Sequence, residues 1–271
     1  MQIIKKDEKI NASVTTKEKI HTYYNSYNYK DFWKSREYEH QADVVVLRKF
    51  LNKIKNGGQR VIEVGAGFGR LVPHYFSRYK EVILMDPSMV QLKNAQRDFE
   101  KTYPNLSFVR GIVQKMPFED NYADTIICVR VSHYIPDFSK PIKEFMRVLV
   151  PGGYLILEVA NKLHMKARFL ALLKGKSNWL ASPNPISRKS GNEDDIPFVN
   201  HNPKTIENEL LINRFEIISV QSVSNFRSPL LKKIFPVKII IFFELLMQRP
   251  LARFWFGPSV YFLARKPNKI L

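Results

Sequence analysis

Two hydrophobic rhythms alternate along the chain. From Arg36 to Lys55, Ala42, Val45, Val46, Phe50, Leu51 and Ile54 recur at three- and four-residue spacing. That is the stripe of a helix packed on a core, and Asn56-Gly57-Gly58 stops it. Short apolar runs rich in β-branched residues follow: Val61–Val64, Val82–Met85, Leu106–Val109, Ala123–Val129 and Tyr154–Val159. Runs of this length bounded by turn residues read as strands. Between them the spacing is helical again. It predicts helices over Arg70–Tyr79, from Ser88 as N-cap to about Tyr103, and over Phe138–Leu149. Strand and helix alternate, which predicts an α/β fold with a doubly wound, mostly parallel sheet. Ala123–Val129 is apolar throughout its centre, as a strand covered on both faces should be.

Past Ala160 the alternation lapses. Residues 161–200 read as a long insertion, helical over Leu163–Leu173 and then rich in proline and turn residues. A helix over Pro203–Ile212, a strand over Phe215–Val223, an apolar and basic helix within 229–250 and a last strand over Pro258–Ala264 complete the pattern. The organisation expected is an N-terminal helical lid (1–55), a core (56–160), and a third segment (161–271). That last segment completes the sheet and carries substrate-cap insertions at 161–200 and 225–257.

The break after the first strand carries the chemistry. Val61-Ile62-Glu63-Val64 runs into Gly65-Ala66-Gly67-Phe68-Gly69-Arg70. Glycines allow positive φ and let a ligand approach the backbone. A dinucleotide-binding turn would need its third glycine at position 70, where this chain has Arg70. Asp86, ending the second strand, lies 21 residues after Gly65. An acid about 20 residues on binds ribose hydroxyls in Rossmann-type folds. Two later segments, Met116-Pro117-Phe118 running to Asp124 and Arg147-Val148-Leu149-Val150-Pro151-Gly152-Gly153, complete an ordered set.

Together these four motifs resemble the class I S-adenosylmethionine (SAM) dependent methyltransferases, in the branch of quinone-biosynthesis and natural-product enzymes. The resemblance covers residues 60–160 and weakens on both sides. It implies a Rossmann-like seven-stranded sheet and SAM as cofactor, with S-adenosylhomocysteine as product. Gly65, Ala66 and Gly67 would lie against the methionine part and Glu63 near its amino group. Asp86 would bind the ribose, Pro87 and Met89 would pack on the adenine, and Val113 and Met116 would line its other side. Arg130 would face the sulfonium end. The N-terminal aromatic segment would fold over the pocket, with Tyr24, Trp33 and Arg36 in the lid and Arg36 pairing with the SAM carboxylate. The family's acid just after the glycine that precedes this loop is here Ile112, so its bond to the adenine amine would be absent or made by Gln114. The fourth strand ends in Arg130-Val131-Ser132-His133-Tyr134, without the Pro-Pro-aromatic signature of base-amine methyltransferases. His133 is the candidate general base, since an imidazole titrates near working pH; a packing role is the alternative.

Composition narrows this little. The apolar fraction of 45% suits a globular protein, and the lone Cys128, inside a strand, allows no internal disulfide. With no Cys/His cluster at ligand spacing, no metal is expected. The N-terminus lacks the apolar core of a signal peptide, which makes a cytoplasmic protein the expectation. Charge changes the picture more. The net charge is +18, and from Val159 onward 18 Lys/Arg face 7 Asp/Glu. Such a surface attracts nucleic acid, anionic lipid or acidic ligands. Without an appended RNA-binding module, RNA methylation is the weaker reading. A small apolar or aromatic acceptor is the stronger, held by aromatic residues such as Phe169, Trp179, Phe226, Phe242 and Phe243. A non-catalytic SAM-fold protein is a third reading, against which the intact glycines and Asp86 argue. Residues 229–250, apolar with Lys232, Lys233 and Lys238, would either cap the substrate or rest on anionic membrane as a peripheral contact. No obligate protein partner is inferred.

Overall fold

The computed structural model describes residues 29–54, 58–175, 178–188 and 198–268. Tyr24 lies outside them. The chain enters with a short helix α1 (Tyr29–Lys34) and a long one α2 (Glu37–Lys53). Strands β1 (Gly58–Val64), β2 (Tyr79–Asp86), β3 (Leu106–Arg110), β4 (Ala123–Cys128) and β5 (Leu149–Ala160) follow, with helices α3 (Met89–Phe99) and α4 (Ser139–Val148) as crossovers. Beyond β5 come α5 (Met165–Leu173), α6 (Asn178–Ala181), a two-stranded ribbon β6 (Ile186–Arg188) and β7 (Phe198–Asn200), and α7 (Pro203–Ile212). The chain then forms β8 (Glu216–Val223), α8 (Pro229–Ile234), α9 (Val237–Ala252) and β9 (Ser259–Arg265).

The main sheet has seven strands in the order β3-β2-β1-β4-β5-β9-β8, with β9 antiparallel to both neighbours and the rest parallel. The expected architecture stands. The sheet is covered on both faces: Ile62, Ile126 and Phe145 belong to one buried cluster, Val61, Ile127 and Phe50 to the other.

Two of the expected helices differ from the pattern, and β1, β2 and β5 begin earlier than it suggests. Arg70–Tyr79 is not a helix but two 3-10 turns, Val72–His74 and Phe76–Arg78. The register explains why. Gly58 pairs with Tyr79 and Val64 with Met85, so the crossover must travel back along six strand residues, about 20 Å. Ten residues from Gly69 to Tyr79 cover about 15 Å as α-helix and about 20 Å at 3-10 rise. The second difference is α3, which ends at Phe99. Its last carbonyls are met in a turn, where Thr102 and Tyr103 donate to the Phe99 carbonyl.

Candidate functional site

The register of β1 against its neighbours builds the site. Val64 pairs with Met85 on one side and Cys128 on the other. The loops after β1, β2 and β4 therefore leave the sheet side by side, at the point where the strand order reverses. That is where open α/β sheets bind ligands. Gly65 and Ala66 both donate to the Met85 carbonyl, at 2.7 and 3.2 Å, so the glycine loop folds flat over the end of β2.

The glycines have separate tasks. At Gly65 (φ +66°) a Cβ would lie 2.3 Å from Val131 Cγ2, so this position serves close packing of two loops. At Gly67 (φ +54°) a Cβ would meet nothing within 4 Å. The bare backbone there faces open space, as a cradle for a ligand requires.

Asp86 ties the loop down. Its Oδ2 accepts from Gly67 N and its Oδ1 from Ser88 N, each at 2.8 Å. Burial pushes its carboxyl up to about 6, against the pull of these two N–H groups. Each oxygen keeps a further lone pair for a hydroxyl donor. Glu63 is buried behind the loop. Its Oε2 accepts from Tyr75 Oη at 2.5 Å, and burial raises it to about 7, opposed by Tyr75 and by the Arg70 charge. Pro87 is partly buried and Met89 is exposed beside Asp86.

Val113 and Met116 are buried in the loop after β3, inside the same apolar cluster as Met85. That loop is held by Glu144, which sequence reasoning did not single out, and by Arg147, to which it gave no role. Glu144 accepts from Met116 N at 2.7 Å, and Arg147 donates to the carbonyls of Met116 (3.1 Å) and Phe118 (2.7 Å). The signal lay in the Arg147–Gly153 motif, whose arginine acts as a positioning residue for the loop.

Arg130 does not present its side chain to the glycine loop. Its guanidinium forks onto Asp43 at 2.7 and 3.2 Å and donates to Ser259 Oγ at 2.9 Å, while its N–H donates to Glu158 at 3.0 Å. Asp43, in α2, also pairs with Arg70 at 3.0 Å and accepts from Tyr261 Oη at 2.7 Å. Burial alone would raise Asp43; the two guanidiniums outweigh it and hold the carboxyl below its ordinary range. Asp43 was invisible to sequence reasoning because it sits in α2, far from any motif.

His133 lies in a 3-10 turn, Ser132–Tyr134. Its ring stacks on Phe198 at 4.7 Å and touches Tyr134 at 3.9 Å. Burial, with the Arg130 and His201 charges, lowers it to about 3. The ring is neutral throughout the working range.

The aromatic N-terminal segment reaches this end of the sheet. The hydroxyls of Tyr29 and Tyr134 are 2.7 Å apart, and Arg70 lies 3.8 Å over the Trp33 ring. A cavity of about 350 Å³ lies here, lined by Lys30, Trp33, His40, Phe68, Arg70, Asp98 and Phe99. Neither Asp86, Val113 nor Met116 lines it. Trp33 lines this cavity with Phe68 and Arg70 of the glycine loop, whereas Arg36 sits over Phe32 at 4.0 Å. No group of metal-ligand residues is found among the described residues.

An open switch point with a bare-backbone loop, and a buried acid ending the next strand, lie where open α/β sheets hold their ligands. Residues 62–157 match the model of the methyltransferase domain family. The match likens the part of the chain from β1 to β5 to a methyltransferase domain. Among curated relatives, phthiotriol/phenolphthiotriol dimycocerosates methyltransferase 1 of Mycobacterium ulcerans is 35% identical over 105 residues, 38% of each chain. The corresponding Mycobacterium tuberculosis enzyme is 31% identical over 120 residues, 42% of each. The match thus spans about two fifths of these relatives' length. Among solved structures, an S-adenosylmethionine dependent methyltransferase from Mesorhizobium loti superimposes with TM-score 0.55 at 17% identity, covering 82% of this chain and 97% of its own.

Proposed function

We propose that the protein transfers the methyl group of SAM to an oxygen or carbon of a small, largely apolar or aromatic acceptor. The observation that carries this is the pairing of Gly67, whose backbone faces open space, with the buried carboxylate of Asp86 that fixes it. SAM supplies an already activated methyl: its C–S bond breaks as the new bond to the acceptor forms, and S-adenosylhomocysteine leaves. The chain's task is then chiefly alignment, which can supply much of the rate. Gly65, Ala66 and Gly67 would lie along the methionine part and Asp86 would accept from the ribose hydroxyls. Val113, Met116, Pro87 and Met89 would flank the adenine. Glu63 would act from behind the loop, where Tyr75 now holds it.

His133 is the proposed proton acceptor. An imidazole at about 3 is a weak base. A hydroxyl oxygen becoming an oxonium as it is methylated is far more acidic, so a weak, neutral, half-buried base suffices for O-methylation. The related mycobacterial enzymes act, by name, on phthiotriol and phenolphthiotriol dimycocerosates. This favours a greasy acceptor here over a polar one.

The test is titration calorimetry with SAM and with S-adenosylhomocysteine, followed by methyl-labelled SAM in a host metabolite extract. Saturable heat with both ligands and a labelled product of low polarity are expected. No heat and no thermal shift with either ligand would overturn the reading. Binding without turnover on any extract would point to a non-catalytic SAM-fold protein.

A further inference from the structure

Helix α9 is packed inside out. The residues it buries against α2 and β8 are Ile240, Glu244, Gln248 and Ala252, one per turn. The middle two are polar and fully partnered. Glu244 accepts from Tyr38 Oη (2.7 Å), Ser224 N (2.8 Å) and Asn225 N (3.0 Å). Gln248 donates to the Ala42 carbonyl (3.1 Å) and accepts from Lys49 Nζ (3.1 Å). The opposite face is apolar and open: Ile239 is 44%, Phe242 57% and Leu246 54% exposed. In an ordinary surface helix the two faces are the other way round. Helix α8 continues the open face with Leu230 and Ile234. Among the described residues nothing covers it.

The charge around this face is of one sign. Lys233, Lys238, Arg249 and Arg253 are exposed on α8, α9 and the turn after it, and the only acid between Pro229 and Arg253 is the buried Glu244. The α5 region adds to the same side. Met165 N donates to the Phe256 carbonyl, which joins the start of α5 to the end of the α9 segment. On α5, Phe169 is exposed and Lys166 adds a cation. A broad apolar face rimmed by cations, with no exposed acid on α8 or α9, complements an anionic bilayer surface, with Phe and Leu entering the headgroup boundary and Lys and Arg meeting phosphates. A nucleic acid would use the cations but not the large apolar face. No described helix is long and apolar enough to cross a membrane, and α9, at about 24 Å, lies flat rather than spans.

The location gives the contact a purpose. The α9 segment connects Val223 to Ser259, and Ser259 pairs with Ala160 at the end of β5. The open face therefore projects from the same end of the sheet as the glycine loop and His133. We infer that the face formed by α8, α9 and α5 docks this protein on anionic membrane, so that a lipid-embedded acceptor meets the cofactor end of the sheet without leaving the interface. The docking is argued from this surface, while the delivery of a lipid-embedded acceptor rests on the methyl-transfer reading above.

The experiment is co-sedimentation of the full chain with vesicles of pure phosphatidylcholine and of phosphatidylcholine containing 30% phosphatidylglycerol as a stated test mixture, roughly the charge density at which polybasic segments bind, at low and high salt. Binding that needs the anionic lipid and fades with salt is expected. Phe242→Ser with Leu246→Ser should abolish it, while Arg249→Glu with Arg253→Glu should weaken it by on the order of tenfold or more. S-adenosylhomocysteine binding in each variant reports folding, and should match the parent. Three results would each overturn the inference. One is no sedimentation under any condition. Another is concentration-dependent self-association removed by Phe242→Ser, which would make the face a contact between copies. The third is binding to bulk RNA that both sets of variants leave intact, with vesicles ignored.

Discussion

At the scale of single residues, Asp86 and His133 carry the reading, and pH separates their roles. Asp86 ionises at about 6 in the folded chain, above the ordinary aspartate value of about 4. Ionised, it accepts from two hydroxyls; protonated, it is a poorer acceptor. SAM affinity should therefore rise as pH passes about 6 and level off above about 7, measured by calorimetry. The same shift has a stability sign. Between about pH 4 and 6 the native protein holds a proton that the unfolded chain has released, so this group's contribution falls as pH rises through that window. Asp86→Asn should flatten both dependences and weaken SAM binding by about 1–3 kcal/mol. An unchanged dissociation constant in a folded variant removes the ribose role. His133 is already neutral above about 3, so turnover should show no inflection from it between pH 5 and 8. His133→Ala should lower turnover about 100-fold with little change in SAM affinity. A loss under about threefold returns the ring to packing on Phe198.

At the scale of elements, α9 is attached by polar bonds in place of an apolar stripe. Glu244→Ala would leave Tyr38 Oη, Ser224 N and Asn225 N without their shared acceptor. Each orphaned buried group costs about 1–3 kcal/mol. The element should loosen as a unit while the parallel core stays folded. Limited proteolysis should then cut within residues 224–236, with SAM binding retained; a cleavage pattern identical to the parent would mean the bonds do not hold the helix. The outward Phe242 and Phe243 also correct the expectation that these rings line an acceptor pocket. Hydrophobic periodicity finds which residues are apolar, but α9 is apolar on most sides. Only the partners on α2 and β8 decide which side turns in.

At the scale of the whole molecule, Asp43 joins three parts of the chain. It receives Arg70 from the glycine loop, Arg130 from the loop after β4 and Tyr261 from β9. Asp43→Ala strands two cations that have little water to replace it. The cost expected is about 3–5 kcal/mol, read as a lower urea midpoint. A change under about 1 kcal/mol would mean the network is solvated in solution. The same network fixes the Arg130 guanidinium between Asp43, Ser259 and Glu158.

The strands β1, β2, β4 and β5, the glycine turn and Asp86 were legible in the sequence because each is a local matter. A strand covered on both faces must be apolar, a loop with positive φ wants glycine, and both facts are written within a few residues. The mostly parallel, seven-stranded character of the sheet followed from the alternation of elements and from the resemblance, whereas its strand order came from the structure. Other features depend on contacts between residues distant in the chain. The crossover Arg70–Tyr79 has a helical pattern, yet the strand register demanded more length per residue than an α-helix gives. Asp43, Glu144 and Tyr75 became part of the site only when folding brought them beside Arg130, Met116 and Glu63. The burial that moves Asp86 to about 6 and His133 to about 3 is likewise a property of the packed molecule, because desolvation depends on everything that surrounds a group and not on its neighbours in sequence.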